Sequence, residues 1–293
     1  MIVMKEYKVI KNYRDNDMLR RSFNRLAGQT FGLDFENWYQ NGYWGEKYNP
    51  YSIVIDGEIA ANVSVNRTDF LLNGSRKHLL QLGTVMTMER YRNQGMIRRI
   101  MEEIDRDYEG KVDGIYLFAN DEVLDFYPQF GFRREDEVLH TKCVSTKQEK
   151  SMEKFSMEDK KDWDRLEGII QRSRFGAALK LVDNSELPMF YLTGFMQENV
   201  YYDKELGAFA VAETEGDKLL LYDVFSETEV DLHKVIAAFG REMKEVVLGF
   251  TPVDRTGFTA GKVQEEDTSF FIKGKGLEDF ASWQVRIPLL AHA

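Results

Sequence analysis

The chain has 293 residues, a net charge of −10, 43% hydrophobic residues and 13% aromatic ones. That composition is enough for a packed core and excludes a disordered chain, and no apolar run approaches the 18 or more residues of a membrane span. An acidic chain also argues against nucleic acid as a partner, because that requires a basic stripe.

The N-terminus lacks an apolar signal core followed by a cleavage site, so a soluble, cytoplasmic protein is expected. Cys143 is the lone cysteine, which excludes an internal disulfide and a cysteine-built metal site; it reads as a buried or bystander thiol. His78, His140, His233 and His292 are scattered without ligand spacing, so no metal is implied. The length suits two domains. Residues 1–150 carry 22 Lys and Arg against 23 Asp and Glu, and residues 151–293 carry 17 against 26, so the acidity sits in the second half. An acidic surface is compatible with cationic amines and equally with simple solubility.

In chain order, residues 7–10 read as a strand and 15–26 as a helix. Residues 31–51 are dense in aromatics, with Asp34, Glu36 and Glu46 among them, and read as aromatic packing under a mobile loop. Residues 52–55 and 58–65 form a hairpin around Asp56-Gly57. Asn73-Gly74 makes a further turn, and 79–87 run on as a central strand.

Residues 85–104, VMTMERYRNQGMIRRIMEEI, read as a strand end, a tight basic loop and an amphipathic helix. At Arg92-Asn93-Gln94-Gly95-Met96-Ile97 the first helical N–H groups have no partner in their own helix, and the helix dipole adds positive potential there. Gly95 lets the backbone approach a bulky anion, while Arg92, Arg98 and Arg99 add permanent charge. Met96, Ile97, Ile100, Met101 and Ile104 form an apolar stripe, and Glu102 faces Arg106 on the wet side. An ordinary surface helix with a basic start is the plain alternative.

Downstream lie a strand over 114–119 and the run Phe126-Tyr127-Pro128-Gln129-Phe130-Gly131-Phe132. Residues 133–144 read as a further strand and 145–151 as a polar linker. The second half repeats the coarse order: a helix over 159–172, strands over 207–213 and 219–225, a helix over 229–239 and a strand over 246–251. Strands over 270–273 and 285–290 close the chain.

The loop at Arg92 and the block at Phe126, in that order and spacing, resemble the GCN5-related N-acetyltransferase (GNAT) superfamily. That family holds the pyrophosphate of acyl-coenzyme A on an R/Q-x-x-G-x-G/A loop between its fourth strand and a helix, and a block similar to F-Y-x-x-F-G-F follows. Ile97 stands where Gly or Ala is usual, and Ile97-Arg98 looks like the Eis-like branch of mycobacterial acetyltransferases. The resemblance implies an α/β fold with a mixed sheet and helices on both faces: a GNAT domain over 1–145, then a degenerate GNAT-like domain over 152–293. In the second half Ser226-Glu227-Thr228-Glu229 replaces the Arg92 to Gly95 loop, and its carboxylates would repel a pyrophosphate.

The resemblance also implies roles, and it would fold the aromatic region 31–51 over the acceptor site. Backbone groups of Val85, Met86 and Thr87 would meet the pantetheine and polarise the thioester oxygen. Arg92 and the amides of Asn93, Gln94, Gly95, Met96, Ile97 and Arg98 would take the pyrophosphate, and Asn120 would bond the pantetheine or the helix that follows. Tyr127 would be the general acid for the coenzyme A sulfur; a core tyrosine on the Val123, Phe126, Tyr127, Phe130 face is the alternative. No base is legible, since the central strand carries only Gln81. In Eis-like enzymes the chain's own C-terminal carboxylate lies in the active site; here the end is Leu290-Ala291-His292-Ala293, and a frayed terminus is the other reading. The implied activity is an N-acetyltransferase moving acetyl from acetyl-CoA to a primary amine by direct attack in a ternary complex. A silent acyl-CoA-binding sensor or assembly protein is the alternative. The acceptor is not legible, and a homo-oligomer is left open.

Overall fold

The computed structural model describes residues 7–292. Strand β1 (Val9–Ile10) leads to helix α1 (Asp17–Phe31), which opens on Asn16, its side chain accepting the Leu19 N–H at 3.2 Å. A short α2 (Glu36–Gln40) precedes three strands, β2 (Tyr48–Ile55), β3 (Glu58–Leu72) and β4 (Ser75–Thr87). The Asp56-Gly57 and Asn73-Gly74 turns that join them have positive φ at both residues, the geometry of tight hairpins. Helix α3 (Met96–Tyr108), β5 (Gly114–Ala119), β6 (Arg133–Arg134) and β7 (Val138–Cys143) follow.

The second half runs β8 (Glu153–Lys154), α4 (Lys160–Arg172), β9 (Leu179–Val182), α5 (Glu186–Leu192), β10 (Val200–Asp203), β11 (Ala208–Glu215) and β12 (Lys218–Ser226). It continues with α6 (Leu232–Ala237), β13 (Glu245–Leu248), β14 (Thr259–Lys262), β15 (Ser269–Lys273) and α7 (Phe280–Trp283).

Two mixed sheets result. The first has the order β1-β2-β3-β4-β5-β15-β6, with β9 on the far part of β3; the second has the order β14-β7-β13-β12-β11-β10-β8. In each, the one parallel contact among the described residues is between the strands flanking a crossover helix, β4 with β5 and β12 with β13. Helix α3 buries Met96, Ile100, Met101 and Ile104 against Val63, Val65, Leu80 and Leu82. Phe23 and Leu26 of α1 pack with Ile59 and Met86 in a separate cluster on the other face.

The sheets do not part at the 145–151 linker. Strand β15, late in the chain, pairs with β5 over five positions, and β7, before the linker, pairs with β13 over four. Strand β9 also crosses, pairing Leu179–Val182 with Leu72–Asp69. The expected strand over 133–144 breaks at residues 135–137, because its first part joins β15 and its second part joins the other sheet. There Glu137 is buried and accepts the Ile287 N–H at 2.6 Å.

Residues 285–290 are not a strand. They carry Pro288 and run between the sheets into a 3-10 turn, Leu289–Ala291. Two further expectations are corrected. Arg106 pairs with Glu103 and not Glu102; Glu103 sits 2.9 Å from both Arg99 and Arg106 and 3.8 Å from Lys11 on the adjoining chain start. The second-half crossover helix begins only at Leu232, capped by the Asp231 side chain on the His233 N–H. Cys143 is exposed.

The last described residues are held from several sides. Tyr116 donates to the Ala291 carbonyl at 3.2 Å and Tyr191 to the His292 carbonyl at 2.7 Å. The His292 ring stacks on Phe118 with centroids 3.8 Å apart. Burial, with Arg286 nearby, pulls the imidazole from its ordinary 6.5 down to about 3. A base held neutral in the fold binds fewer protons than in the unfolded chain between those values, so stability falls as pH drops through that window. Relative to His292→Phe, the wild type is expected to lose about 1 kcal/mol per pH unit between about pH 6 and pH 4, measured by denaturant titration at each pH. Parallel curves for the two proteins would contradict this.

Candidate active site

The site forms where β4 and β5 separate. Their parallel register runs from Leu79 opposite Gly114 to Leu82 opposite Leu117 and then stops, although β4 continues to Thr87 and β5 to Ala119. On its other edge β4 stays paired with β3, but with a bulge: Ser64 faces Gly83 and Asn62 faces Met86, so Thr84 and Val85 together oppose the single Val63. Thr84 takes φ +41° there. The Met88 N–H bonds the Ala60 carbonyl at 2.8 Å, on the β3 side. By the alternation of a strand, Met86 faces β3 as well, and Val85 and Thr87 offer their N–H and C=O groups to the gap. All three expected strand residues thus lie at the gap, two of them with the backbone turned into it.

The loop from β4 to α3 has left-handed residues at Asn93 (φ +61°) and Gly95 (φ +77°). The Arg99 N–H is the first to bond back, to the Gly95 carbonyl at 3.1 Å, so the amides of Met96, Ile97 and Arg98 have no partner within the helix. The helix start has no side-chain cap, whereas α1, α4 and α6 are capped by Asn16, Asp159 and Asp231. A Cβ built on Gly95 meets no atom within 4 Å. This open cradle of successive N–H groups fits a pyrophosphate. Arg92, Asn93, Gln94 and Arg98 are exposed around it, Met96 is buried below and Ile97 is half-buried. Gln94 receives the Tyr7 hydroxyl at 3.1 Å and donates to the Arg90 carbonyl at 3.2 Å.

Tyr127 begins a 3-10 turn, Tyr127–Phe130, and is 5% exposed. Its ring lies 5.8 Å from Phe271 of β15 and 6.2 Å from Phe132. The ring is therefore core, as the plainer reading had it, yet the hydroxyl has no hydrogen-bond partner among the described residues. Burial alone pushes its pKa up to about 12, so the phenol stays protonated at neutral pH. Arg98 ties this turn to the loop, donating to the Gln129 side chain at 3.3 Å and lying 5.1 Å over the Phe130 ring. Asn120 follows the end of β5 with an exposed side chain, and its carbonyl accepts the Val123 N–H at 3.1 Å.

Residues 14–134 match a family model described as the acetyltransferase (GNAT) domain. This part of the chain is a GNAT domain. Among solved structures, a probable N-acyltransferase of Enterococcus faecalis aligns with a TM-score of 0.58 at 14% identity, over 94% of this chain and 74% of its own. Eis1 from Mycobacterium abscessus aligns with a TM-score of 0.56 at 9% identity, over 96% and 76%. A GCN5-related N-acetyltransferase from Kribbella flavida gives 0.52 at 13%, over 92% and 72%. At these identities the likeness is one of fold, and it extends through both sheets. No curated protein matches in sequence.

The second sheet repeats the GNAT device. Strand β12 leaves β13 after Leu221 and Leu248, with Tyr222 as an extra residue on β12. Here the chain fills the gap itself: the Gly249 N–H bonds the Leu221 carbonyl at 2.7 Å, and the Leu289 N–H bonds the Gly249 carbonyl at 2.9 Å. In the loop that replaces the phosphate cradle, Glu227 pairs with Arg172.

Several residues beside the gap have little local signal in the sequence. Asn62 and Ser64 are fully buried on β3 beside the bulge, and Tyr48, Thr84 and Ser52 join them. Phe271 and the Phe118–His292 stack come from strand pairing across the halves. The one signal for the first group was Asn62 and Ser64 themselves, polar residues at inward positions of the run Ala60 to Asn66. Gln81, where an acidic base would stand, is fully buried under the Tyr116 hydroxyl at 3.3 Å. Of the aromatics in 31–51, Phe35, Trp38, Tyr43, Trp44 and Tyr48 are buried and packed on one another. Ala293 lies outside the described residues, and with it the expectation for its carboxylate.

Proposed function

We propose that the chain is an N-acetyltransferase that moves the acetyl group of acetyl-CoA to a primary amine by direct attack in a ternary complex. The observation that carries this is the conjunction of an uncapped amide cradle, a strand gap lined by backbone groups and a Tyr127 hydroxyl without a hydrogen-bond partner among the described residues, all in one GNAT domain. Arg92 and the amides from Asn93 to Arg98 take the pyrophosphate, and the pantetheine runs in the gap along Val85, Met86 and Thr87, with Asn120 at its rim. The amine, entering as its free base, bonds through nitrogen to the acetyl carbon as the carbon–sulfur bond breaks; the departing sulfur takes its proton from Tyr127, and the proton shed by the nitrogen passes through solvent to return the phenolate to phenol. A backbone N–H at the bulge carries the charge that builds on the carbonyl oxygen.

The acceptor's place is the cleft of about 290 Å³ beside Leu33, Asp34, Trp38, Phe190 and Phe195. Leu33 and Phe190 belong to the same apolar cluster as Met86 at the gap. Among the described residues Asp34 is the sole ionisable group lining that cleft, which suits a cationic amine with an apolar body. The test is release of coenzyme A thiol from acetyl-CoA across a panel of amines, from polyamines to peptide N-termini. Amine-dependent release above hydrolysis is expected. Tight acetyl-CoA binding with no release for any amine would favour an acyl-CoA sensor instead.

A further inference from the structure

We propose that Asn62, with Thr84, Ser64 and Tyr48 around it, is the positioning group that aims the Val85 N–H at the thioester oxygen; this rests on the acetyltransferase reading above. Thr84 is β-branched and sits at φ +41°, a conformation that persists only where the surroundings hold it. Four side-chain hydrogen bonds converge on that residue. The Asn62 Nδ2 donates to the Thr84 carbonyl at 2.9 Å and lies 3.4 Å from its Oγ1. The Thr84 hydroxyl donates to Ser64 at 2.5 Å and meets the Tyr48 hydroxyl at 2.8 Å.

Asn62 is itself fixed. Its Nδ2 also reaches Ser64 at 3.0 Å, and its Oδ1 accepts from Ser52 at 2.7 Å, which in turn meets the Tyr13 hydroxyl at 2.7 Å. Asn62, Ser52 and Ser64 are fully buried, and Tyr48, Tyr13 and Thr84 nearly so. Polar groups in such a place are costly unless fully paired, and once paired they lock a single geometry.

What they lock is one peptide plane. The Thr84–Val85 peptide is trans, like all described peptides, and in a trans peptide C=O and N–H point in opposite directions. Asn62 draws the Thr84 oxygen toward β3. The Val85 N–H therefore points away from β3, into the gap that β5 has left. Preorganised donors of this kind act where charge develops during acyl transfer, not on the bound ground state.

The test compares wild type with Asn62→Leu, and with Thr84→Val and Tyr48→Phe, which delete one hydroxyl each with little change of shape. Three quantities are read: kcat for acetyl transfer, Kd for acetyl-CoA, and the infrared carbonyl band of carbonyl-13C acetyl-CoA bound to the protein. Asn62→Leu is expected to lower kcat on the order of 10²-fold and to return the bound carbonyl band toward its frequency in water, with Kd changed less than about threefold. Thr84→Ser, which keeps the hydroxyl, should restore both. If Asn62→Leu does not fold, Thr84→Val carries the same expectation. Folded variants that keep the wild-type kcat and band, or that lose kcat and affinity in proportion, would reduce the network to a structural role. A wild-type chain that shows no bound carbonyl band at all would overturn the acetyltransferase reading, and this role with it.

Discussion

Replacing Tyr127 with phenylalanine is expected to lower kcat for acetyl transfer by about 10²- to 10⁴-fold, the range for loss of a general acid, while acetyl-CoA still binds. The separation of the two effects follows from how Tyr127 is held. Its ring makes all of its packing contacts, with Phe126, Phe132 and Phe271, and phenylalanine keeps each of them. Among the described residues its hydroxyl makes no hydrogen bond, so removing it leaves no buried partner there unsatisfied and stability should be almost unchanged. The lost function is the proton for the leaving sulfur. With the phenol pushed up to about 12, the acid is fully protonated through the neutral range, so its own titration places no alkaline limb on kcat below about pH 11. Stopped-flow or steady-state thiol release gives kcat, and calorimetry gives Kd. A variant with wild-type kcat would make Tyr127 a core residue after all.

The second large effect concerns the exchange of strands. A fragment of residues 1–145 should not fold, even though it contains the whole stretch that matches the family model. Without the rest of the chain, β5 loses five register positions to β15, and the far part of β3 loses four to β9. Phe270, Phe271 and Ile272, all buried, leave with β15. At about 1.5–3 kcal/mol each, their burial alone is comparable to the total stability of an ordinary domain, about 5–15 kcal/mol. Strand β7 would be left without β13, exposing an edge that invites aggregation. Near-ultraviolet circular dichroism and denaturant titration of the fragment decide the matter. A cooperative transition with native-like near-ultraviolet signal would show that the exchange is dispensable.

These two cases also mark what could be read from the chain in advance. The cradle at Gly95 and the position of Tyr127 were legible because both are local: a strand, a loop and a helix in sequence carry them. The hairpin turns at Asp56-Gly57 and Asn73-Gly74 were legible for the same reason. Which sheet a strand joins is not local. Phe270 to Lys273 reads as a strand in either sheet, and only the tertiary arrangement sets it beside β5. The bulge at Thr84 is a matter of register between β3 and β4, so the hydrogen bonds that meet there could not be assembled from spacing. Glu103 was passed over for Glu102 by helical spacing to Arg106, because its other neighbour, Lys11, comes from a distant part of the chain. Residues 285–290 looked like a strand by alternation, but Pro288 and the bond from Ile287 to Glu137 hold them as a strap between the sheets.

The central claim is that the Arg92 to Arg98 loop holds acetyl-CoA, and the melting temperature with and without that ligand tests it most directly. A ligand that binds only the folded state, at a hundred times its Kd, adds about 2.7 kcal/mol, a rise of several degrees. Gly95→Asp places a carboxylate in the cradle, where a Cβ meets no protein atom but the φ of +77° strains any side chain; the ligand-free melting temperature of the variant reports that strain, and the ligand-induced shift should disappear. A clear rise in the wild type that is absent in Gly95→Asp is the predicted result. No rise in the wild type, or an equal rise in both proteins, would mean that the loop is only a basic helix start.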